Sequence, residues 1–309
     1  MKKVLLTGAS GFIGRHSLPL LLERGFEVHA VGRAQRPPVV EGDLLFWHQC
    51  DLLDLNDQNT LVSRVKPTHL LHFAWYALPK AYWDSLENIR WIQASLELLL
   101  RFSSQGGRRA VLAGTCAEYD WTHGYCIESV TPEKPSSLYG ASKSSLQTIL
   151  RQLSKTTGLS SAWGRIFHLY GPGEHPERLV PSVIISLLNG KLAHCSHGEQ
   201  IRDFLFVKDA ASAFVELLDT DIQGAVNVAS GKPVSLKEMI GWLGDYLGCP
   251  ELIEFGSIPA RASDPPFLVA SVDRLARELH WRPEYALHRG LEQTVSWWKQ
   301  SLQKDCGVT

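Results

Sequence analysis

The chain opens on KKVLLTG, a short apolar run, and from Phe12 to Gly25 apolar positions then recur at helical spacing until Gly25 closes the segment as a C-cap. Further apolar runs stand at Phe26–Gly32, Thr68–Trp75, Arg109–Thr115 and Ser160–Gly171, each separated from the next by a polar or helical stretch. Long helical patterns occupy Trp83–Ser104 and Ser137–Thr157. This rhythm predicts βαβ units and a parallel sheet covered by helices on both faces. After Gly171 the pattern loosens into YGPGEHPERLVP, passes through a helical stretch, and returns to strand-like runs at RDFLFV and GAVNVAS. The second half is therefore expected to build a smaller lobe and also to return to the sheet.

Length and charge narrow the picture. A chain of 309 residues buries a sizeable core, as one large domain or two interleaved ones. Its 31 Lys and Arg balance 32 Asp and Glu, so nothing points to nucleic acid or a membrane surface, and the expected ligand is small. Cys50, Cys116, Cys126, Cys195, Cys249 and Cys306 are scattered, with neither a CxxC pair nor a His/Cys cluster at metal-ligand spacing, which suits reduced thiols and no metal. MKKVLL begins like a signal peptide, but Gly8 and Gly11 interrupt it, and no apolar stretch reaches the roughly 20 residues that span a bilayer. A cytoplasmic protein is the expectation.

TGASGFIG, Thr7–Gly14, lies where the first strand becomes the first helix. Glycine there lets backbone approach a pyrophosphate, and the helix start offers N–H groups and the positive end of a dipole. Gly8, Gly11 and Gly14 meet those needs, and the flanking strand and helix separate them from a plain tight turn. An NAD site places an acid about 20 residues further on, whereas a 2′-phosphate wants a cation. Here the second strand ends in AVGRAQR, with Gly32, Arg33 and Arg36 and no carboxylate, so NADP(H) is favoured over NAD. Arg33 is otherwise an ordinary surface arginine. Asp51, after the third strand, is placed either to touch the adenine or to cap a helix.

In YGASK, Tyr139 and Lys143 are four apart, which on a helix brings an ammonium near a phenol and favours its ionised form. A tyrosine tuned in this way exchanges a proton near neutral pH. Thr115 ends the Arg109–Thr115 run, at the carboxyl edge of the expected sheet where α/β ligands bind. Thr115, Tyr139 and Lys143 are therefore expected to converge beside a nicotinamide.

With TGASGFIG, DLLD, HFAW, Asn88, Thr115, YGASK, RIFHLYGPG, GEQIRDFLFVKDAA, GAVNVASG and LHWRPEYALHRGLEQTVSWW, the chain resembles the extended short-chain dehydrogenases/reductases along its whole length. These form the NAD(P)-dependent epimerase/dehydratase family acting on nucleotide sugars. The resemblance implies a Rossmann-like doubly wound domain, taken as 1–171 and 203–231, and a smaller α/β lobe binding a nucleoside-diphosphate sugar, taken as 172–202 and 232–309. It implies Tyr139 as general acid or base, Lys143 on the nicotinamide ribose, and Thr115 orienting the sugar oxygen. It extends the cofactor contacts to Phe12, Ile13, Leu52, Phe73, Ala74, Phe167 and His168. A homodimer through the helices carrying Asn88 and Tyr139 is expected by the same resemblance.

Departures from the family pattern indicate the reaction. Dehydratases follow the threonine directly with an acidic pair, whereas Thr115 is followed by Cys116 and Ala117, with Glu118 one place late. The fucose-synthase branch uses a Cys and a His, but Cys116 is displaced by one and Arg178 stands at the histidine position. Epimerases of the family retain NAD, against which Arg33 argues. His168 and GEQIRDF resemble 4-ketoreductases of the CDP-abequose synthase type, which implies NADPH-dependent reduction of a 4-keto-6-deoxyhexose, with a nucleotide-sugar epimerase as the alternative and a non-catalytic NADP sensor behind both. Arg202 and Arg261 match arginines that grip the diphosphate in relatives; the competing reading of Arg202 is an ion pair with Asp203 or Asp209. His168 is either a nucleotide contact or a hydrogen-bonded core residue. Tyr76, Tyr82 and Trp83 either shape the sugar pocket or simply pack, and Trp297 and Trp298 are read as core anchors.

Overall fold

The computed structural model describes residues 2–34, 42–260 and 264–306. In chain order the elements are β1 (Lys3–Thr7), α1 (Gly14–Glu23), β2 (Glu27–Gly32), β3 (Leu45–Gln49), α2 (Leu55–Val65), β4 (His69–His72), α3 (Glu87–Ser104), β5 (Arg109–Thr115), β6 (Tyr125–Cys126), α4 (Leu138–Thr157), β7 (Ser160–Ile166) and β8 (His168–Tyr170). There follow α5 (Leu179–Leu188), β9 (Ala193–Cys195), β10 (Ile201–Phe206), α6 (Val207–Asp219), β11 (Gly224–Val228), β12 (Pro233–Ser235), α7 (Leu236–Leu247), β13 (Ile253–Phe255), β14 (Phe267–Ala270), α8 (Asp273–Arg277) and α9 (Leu287–Cys306).

Seven strands pair in parallel in the order β11-β7-β5-β4-β1-β2-β3. The chain steps outward from β1 in one direction, then crosses to its other side at β4, and the crevice at that reversal is where open α/β sheets bind ligands. Both faces are covered, which is why the strands read as apolar runs without alternation. Leu18 and Leu21 of α1 and Ala210, Phe214 and Leu217 of α6 bury one face. Leu61 and Val62 of α2, Trp91 and Leu98 of α3 and Leu146 and Leu150 of α4 bury the other. The helix ends follow local rules: Asp54 caps α2 and Ser137 caps α4 with side-chain oxygens, and Gly158 closes α4 in the left-handed region.

A second sheet runs β12-β10-β14-β6, with β8 also on β10, and a two-stranded sheet joins β13 to β9. Helices α5, α7 and α9 bury a separate core against it through Val183, Ile184, Met239, Leu243, Leu291 and Trp298. The run Ser160–Gly171, continuous in the sequence, is two strands in two sheets. Ile166 is the last residue paired in the first sheet, and His168–Tyr170 pairs with Phe204–Phe206 in the second. The helical pattern from Trp83 begins as a helix only at Glu87, because the Asn88 amide folds back to donate to the Tyr82 and Ser85 carbonyls and holds the preceding residues as a loop. Among the described residues no helix is long and apolar enough to cross a membrane.

Candidate active site

The glycine turn is built by close packing. Gly8 has φ +66°, and a Cβ on it would stand 2.8 Å from the Ala74 nitrogen. A Cβ on Gly14 would stand 2.2 Å from the Gly8 carbonyl oxygen, so only glycine lets α1 begin this close to β1. The Gly11 N–H donates to Gly8 O at 2.9 Å, and α1 starts after Phe12 and Ile13 with no side-chain cap. That cradle fits the phosphates of a dinucleotide. Phe73 and Ala74 leave β4 against it, with the Ala74 N–H donating to the Thr7 hydroxyl. Beyond β2, Arg33 is exposed and lines a cleft of about 440 Å³ with Gln49, Cys50, Asp51 and Asp57. Arg36 lies outside the described residues. Asp51 is not the helix cap: its carboxylate accepts from the Leu53 N–H, Asp54 caps α2, and Leu52 between them is buried.

Thr115 and Tyr139 meet at the carboxyl end of β5. The Thr115 hydroxyl accepts from the Ala117 N–H at 3.2 Å and lies beside the Tyr139 phenol. Tyr139 stands in the first turn of α4, half-buried, with its ring perpendicular to those of Tyr82 at 4.9 Å and Trp83 at 5.9 Å. Burial pushes its phenol well above the usual range, the neighbouring Tyr82 adds to this, and the Thr115 side chain opposes it. Lys143, one turn on, is 3% exposed. Burial lowers its ammonium to about 7 while Glu118 favours the charged form. Lys143 Nζ meets the Ala113 carbonyl at 2.8 Å and the Trp75 ring at 3.7 Å from its centroid, with the Trp163 ring further off at 6.0 Å. The helical spacing does bring the tyrosine and lysine onto one side of α4, but the ammonium rests on an indole.

Glu118 has a different occupation from a catalytic acid. Fully buried, it accepts from the Thr115 N–H, the Trp163 indole and, at 2.7 Å, the Arg165 guanidinium. Arg165 also pairs with Glu133. The pair braces the end of β5 from below and leaves Glu118 no free oxygen. Burial pushes the neighbouring Cys116 thiol far above the usual range, so it is inert as an acid or nucleophile.

At the substrate end, His168 opens β8 with its ring near Phe204. Its buried Nδ1 has no hydrogen-bond partner, so the picture of a hydrogen-bonded core histidine does not hold. Burial, then Arg202 and Arg178, lower it to about 3. Phe167, just before it, is buried beside Tyr119. Arg202 is ion-paired, but with Asp264 at 2.6 Å and not with Asp203 or Asp209. Asp203 instead accepts from Ser230, Gly231 and Ala270, and Asp209 from the Glu284 and Tyr285 N–H groups. Arg261 lies outside the described residues. Tyr76 is half-buried against the core of the α2–α3–α4 face. Trp297 and Trp298 pack edge to face, Trp298 within the second-sheet core.

Three features escape reading by motif. Arg178 stands over the Tyr82 ring at 5.1 Å. Glu174, buried beside it, has its carboxyl raised to about 8 by burial. Trp75 carries Lys143 from the last position of HFAW; an indole following a buried strand at the sheet edge was the available signal.

Comparison with known proteins agrees with this geometry. The chain is 28% identical over 337 residues to a UDP-glucose 4-epimerase of Azospirillum brasilense, covering 99% of this chain and 94% of that one. It is 27% identical over 309 residues to the CDP-abequose synthase of Salmonella typhimurium, covering 94% and 97%. The crystal structure of a Thermus thermophilus UDP-glucose 4-epimerase complexed with NAD superposes with a TM-score of 0.86 at 26% identity, covering 96% of this chain and 99% of that one. The NAD dependent epimerase/dehydratase profile matches residues 4–229. With that profile spanning the parallel sheet, its glycine turn and the Thr115–Tyr139–Lys143 group, the chain belongs to the NAD-dependent epimerase/dehydratase family.

Proposed function

We propose that this enzyme is an NAD(P)-dependent nucleotide-sugar epimerase working through a transient ketone at a sugar carbinol. The observation that carries the reading is the Tyr139 phenol beside the Thr115 hydroxyl at the sheet edge, with a buried ammonium one helical turn away. Similarity to UDP-glucose 4-epimerases supports the choice of C4. A nicotinamide dinucleotide bound over the Gly8–Gly14 cradle supplies the hydride acceptor and donor. Tyr139 takes the carbinol proton as the C–H bond breaks and returns it when the ketone is reduced from its other face. Thr115 holds the sugar oxygen and the phenol in one line. The Lys143 charge offsets the penalty that burial places on the phenolate. Arg202, His168 and Arg261 are assigned to the nucleoside diphosphate; the unpartnered His168 Nδ1 supports a ligand contact there. In this reading residues 1–171 and 203–231 hold the cofactor and 172–202 and 232–309 the sugar nucleotide. The enzyme pairs as a homodimer through α3 and α4, where Ile89, Leu100 and Ile149 are exposed.

A specific observation favours 4-ketoreduction as a second reading. The end of β2 carries exposed Arg33 and no acid, as an exchangeable NADP(H) requires, and CDP-abequose synthase is a relative of nearly full length. Nicotinamide balance separates the two. UDP-glucose and UDP-galactose interconverting with no net change in nicotinamide absorbance, and not doing so with Tyr139→Phe, is the expected result. Stoichiometric NADPH loss with a dTDP-, CDP- or GDP-4-keto-6-deoxyhexose, without interconversion, would overturn epimerisation in favour of reduction.

A further inference from the structure

One buried amide ties together the supports of both reacting side chains. Asn88, in the first turn of α3, is fully buried and uses every polar atom of its side chain. Nδ2 donates to the Tyr82 carbonyl at 2.7 Å and to the Ser85 carbonyl at 2.8 Å, and Oδ1 accepts from the Trp75 indole N–H at 2.9 Å. The orientation is self-enforcing, since a flipped amide would set N–H against N–H and oxygen against two carbonyls. On one side the indole so anchored lies under Lys143 Nζ. On the other, the loop so anchored presents the Tyr82 ring to Tyr139, receives the Tyr139 N–H on the Trp83 carbonyl at 2.8 Å, and offers the Asp84 carboxylate to the Leu138 N–H.

We propose that Asn88 and Trp75 are positioning residues for the oxidoreduction. Asn88 fixes the indole on which the Lys143 ammonium rests and, through the Tyr82 carbonyl, the loop that seats Tyr139. This rests on Lys143 and Tyr139 carrying the proton chemistry. Lys143 holds one acceptor, Ala113 O, and two aromatic faces, Trp75 at 3.7 Å and Trp163 at 6.0 Å, so the nearer indole of Trp75 supplies much of what replaces its lost water. The titratable groups around it are Glu118, which favours its charged form, Tyr139 one turn before it on α4, and His72 at the end of β4. His72 is fixed between Thr7 and Ser95 and kept neutral by burial and by Lys143 itself.

The test is an NMR titration of the free full-length protein isotope-labelled at lysine Cε, with Lys143→Met identifying the resonance and thermal melts confirming that each variant folds. In the unsubstituted protein the Lys143 midpoint is expected at about 7. Trp75→Leu removes the nearer aromatic face and is expected to lower it by roughly one pH unit. Trp75→Phe keeps a ring without the bond to Asn88 and should lower it by less. Asn88→Leu, which leaves the indole unanchored, should also lower it; should that variant fail to fold, Trp75→Phe still reports the loss of the anchor. A Trp75→Leu midpoint unchanged from the unsubstituted protein overturns the proposal, and so does a folded Asn88→Leu with an unchanged midpoint. The readout needs no substrate. Absence of turnover with every nucleotide sugar would sink the proposed function and leave this titration standing, while normal turnover with unmoved midpoints would do the reverse.

Discussion

Lys143 is a cation held where a cation is costly. Its ordinary value is 10.5 and burial brings it to about 7. Below about pH 7 the side chain is charged in both the folded and unfolded states, and the fold bears the whole cost of burying it. Between about 7 and 10.5 the unfolded chain holds a proton that the folded protein has released, so stability rises with pH through this window. Lys143→Met is therefore expected to be more favourable for stability near pH 6 than near pH 10 by a few kcal/mol, at about 1.4 kcal/mol per unit of difference between the two pKa values. Urea midpoints of both proteins at the two pH values check this. An effect of the same size at both would mean that the ammonium is not buried against a penalty. In the proposed reaction activity and stability are opposed at this residue, since the charge that strains the fold is the one assigned to support the Tyr139 phenolate.

Among the elements, the glycine positions separate close approach from mere turn-making. A Cβ on Gly14 would collide with the backbone of the preceding turn, whereas Gly241 in the interior of α7 has nothing within 4 Å of the same atom. Gly14→Ala is expected to push α1 off β1, costing roughly 1–3 kcal/mol by overpacking and weakening nicotinamide dinucleotide binding together with it. Gly241→Ala should raise stability by about 0.5–1 kcal/mol, because only the unfolded chain loses freedom. Thermal melts of both variants and fluorescence titration with NADPH decide the matter; equal effects would show that α1 does not depend on that approach. The glycine turn, the strand–helix alternation and YGASK were legible because each is fixed by residues close in sequence. What was not legible depended on distant partners. Nothing local announces that Ser160–Gly171 breaks between two sheets, that Arg202 finds Asp264 62 residues away, or that Lys143 rests on Trp75. The misplaced start of α3 has the same origin, since the apolar spacing runs on through Trp83 and only the Asn88 side chain folding back sets the boundary.

The two sheets are joined by buried polar groups, and this bears on how the whole molecule unfolds. Asn227 lies on β11, the edge of the first sheet, and is fully buried. Its amide nitrogen donates to the Cys126 and Ser271 carbonyls of the second sheet, each at 3.0 Å, and its oxygen accepts from the Tyr119 hydroxyl at 2.7 Å. Asp203, on β10 of the second sheet, accepts in return from Ser230 and Gly231 just after β11. Each sheet thus satisfies buried polar atoms of the other, and separating them would leave the Ser271 carbonyl and the Tyr119 hydroxyl unpaired and the Asp203 carboxylate with only its Ala270 bond. A buried group left unsatisfied costs about 1–3 kcal/mol, more where charge is involved. Chain connectivity adds to this, because the strand order interleaves the two: β10 belongs to the second sheet, yet α6, which follows it at once, packs on the first. The unsubstituted protein is expected to unfold in one transition, with far-ultraviolet circular dichroism and tryptophan fluorescence coinciding along a urea titration. Asn227→Leu strands the Ser271 carbonyl and the Tyr119 hydroxyl, and should cost roughly 2–5 kcal/mol and pull the two probes apart, since the tryptophans are divided between the cores of the two sheets. Separate transitions in the unsubstituted protein would show that the lobes are held by the chain alone. The geometry of His168 and Arg202 relative to Tyr139 would then be set by bound ligand and not by the fold.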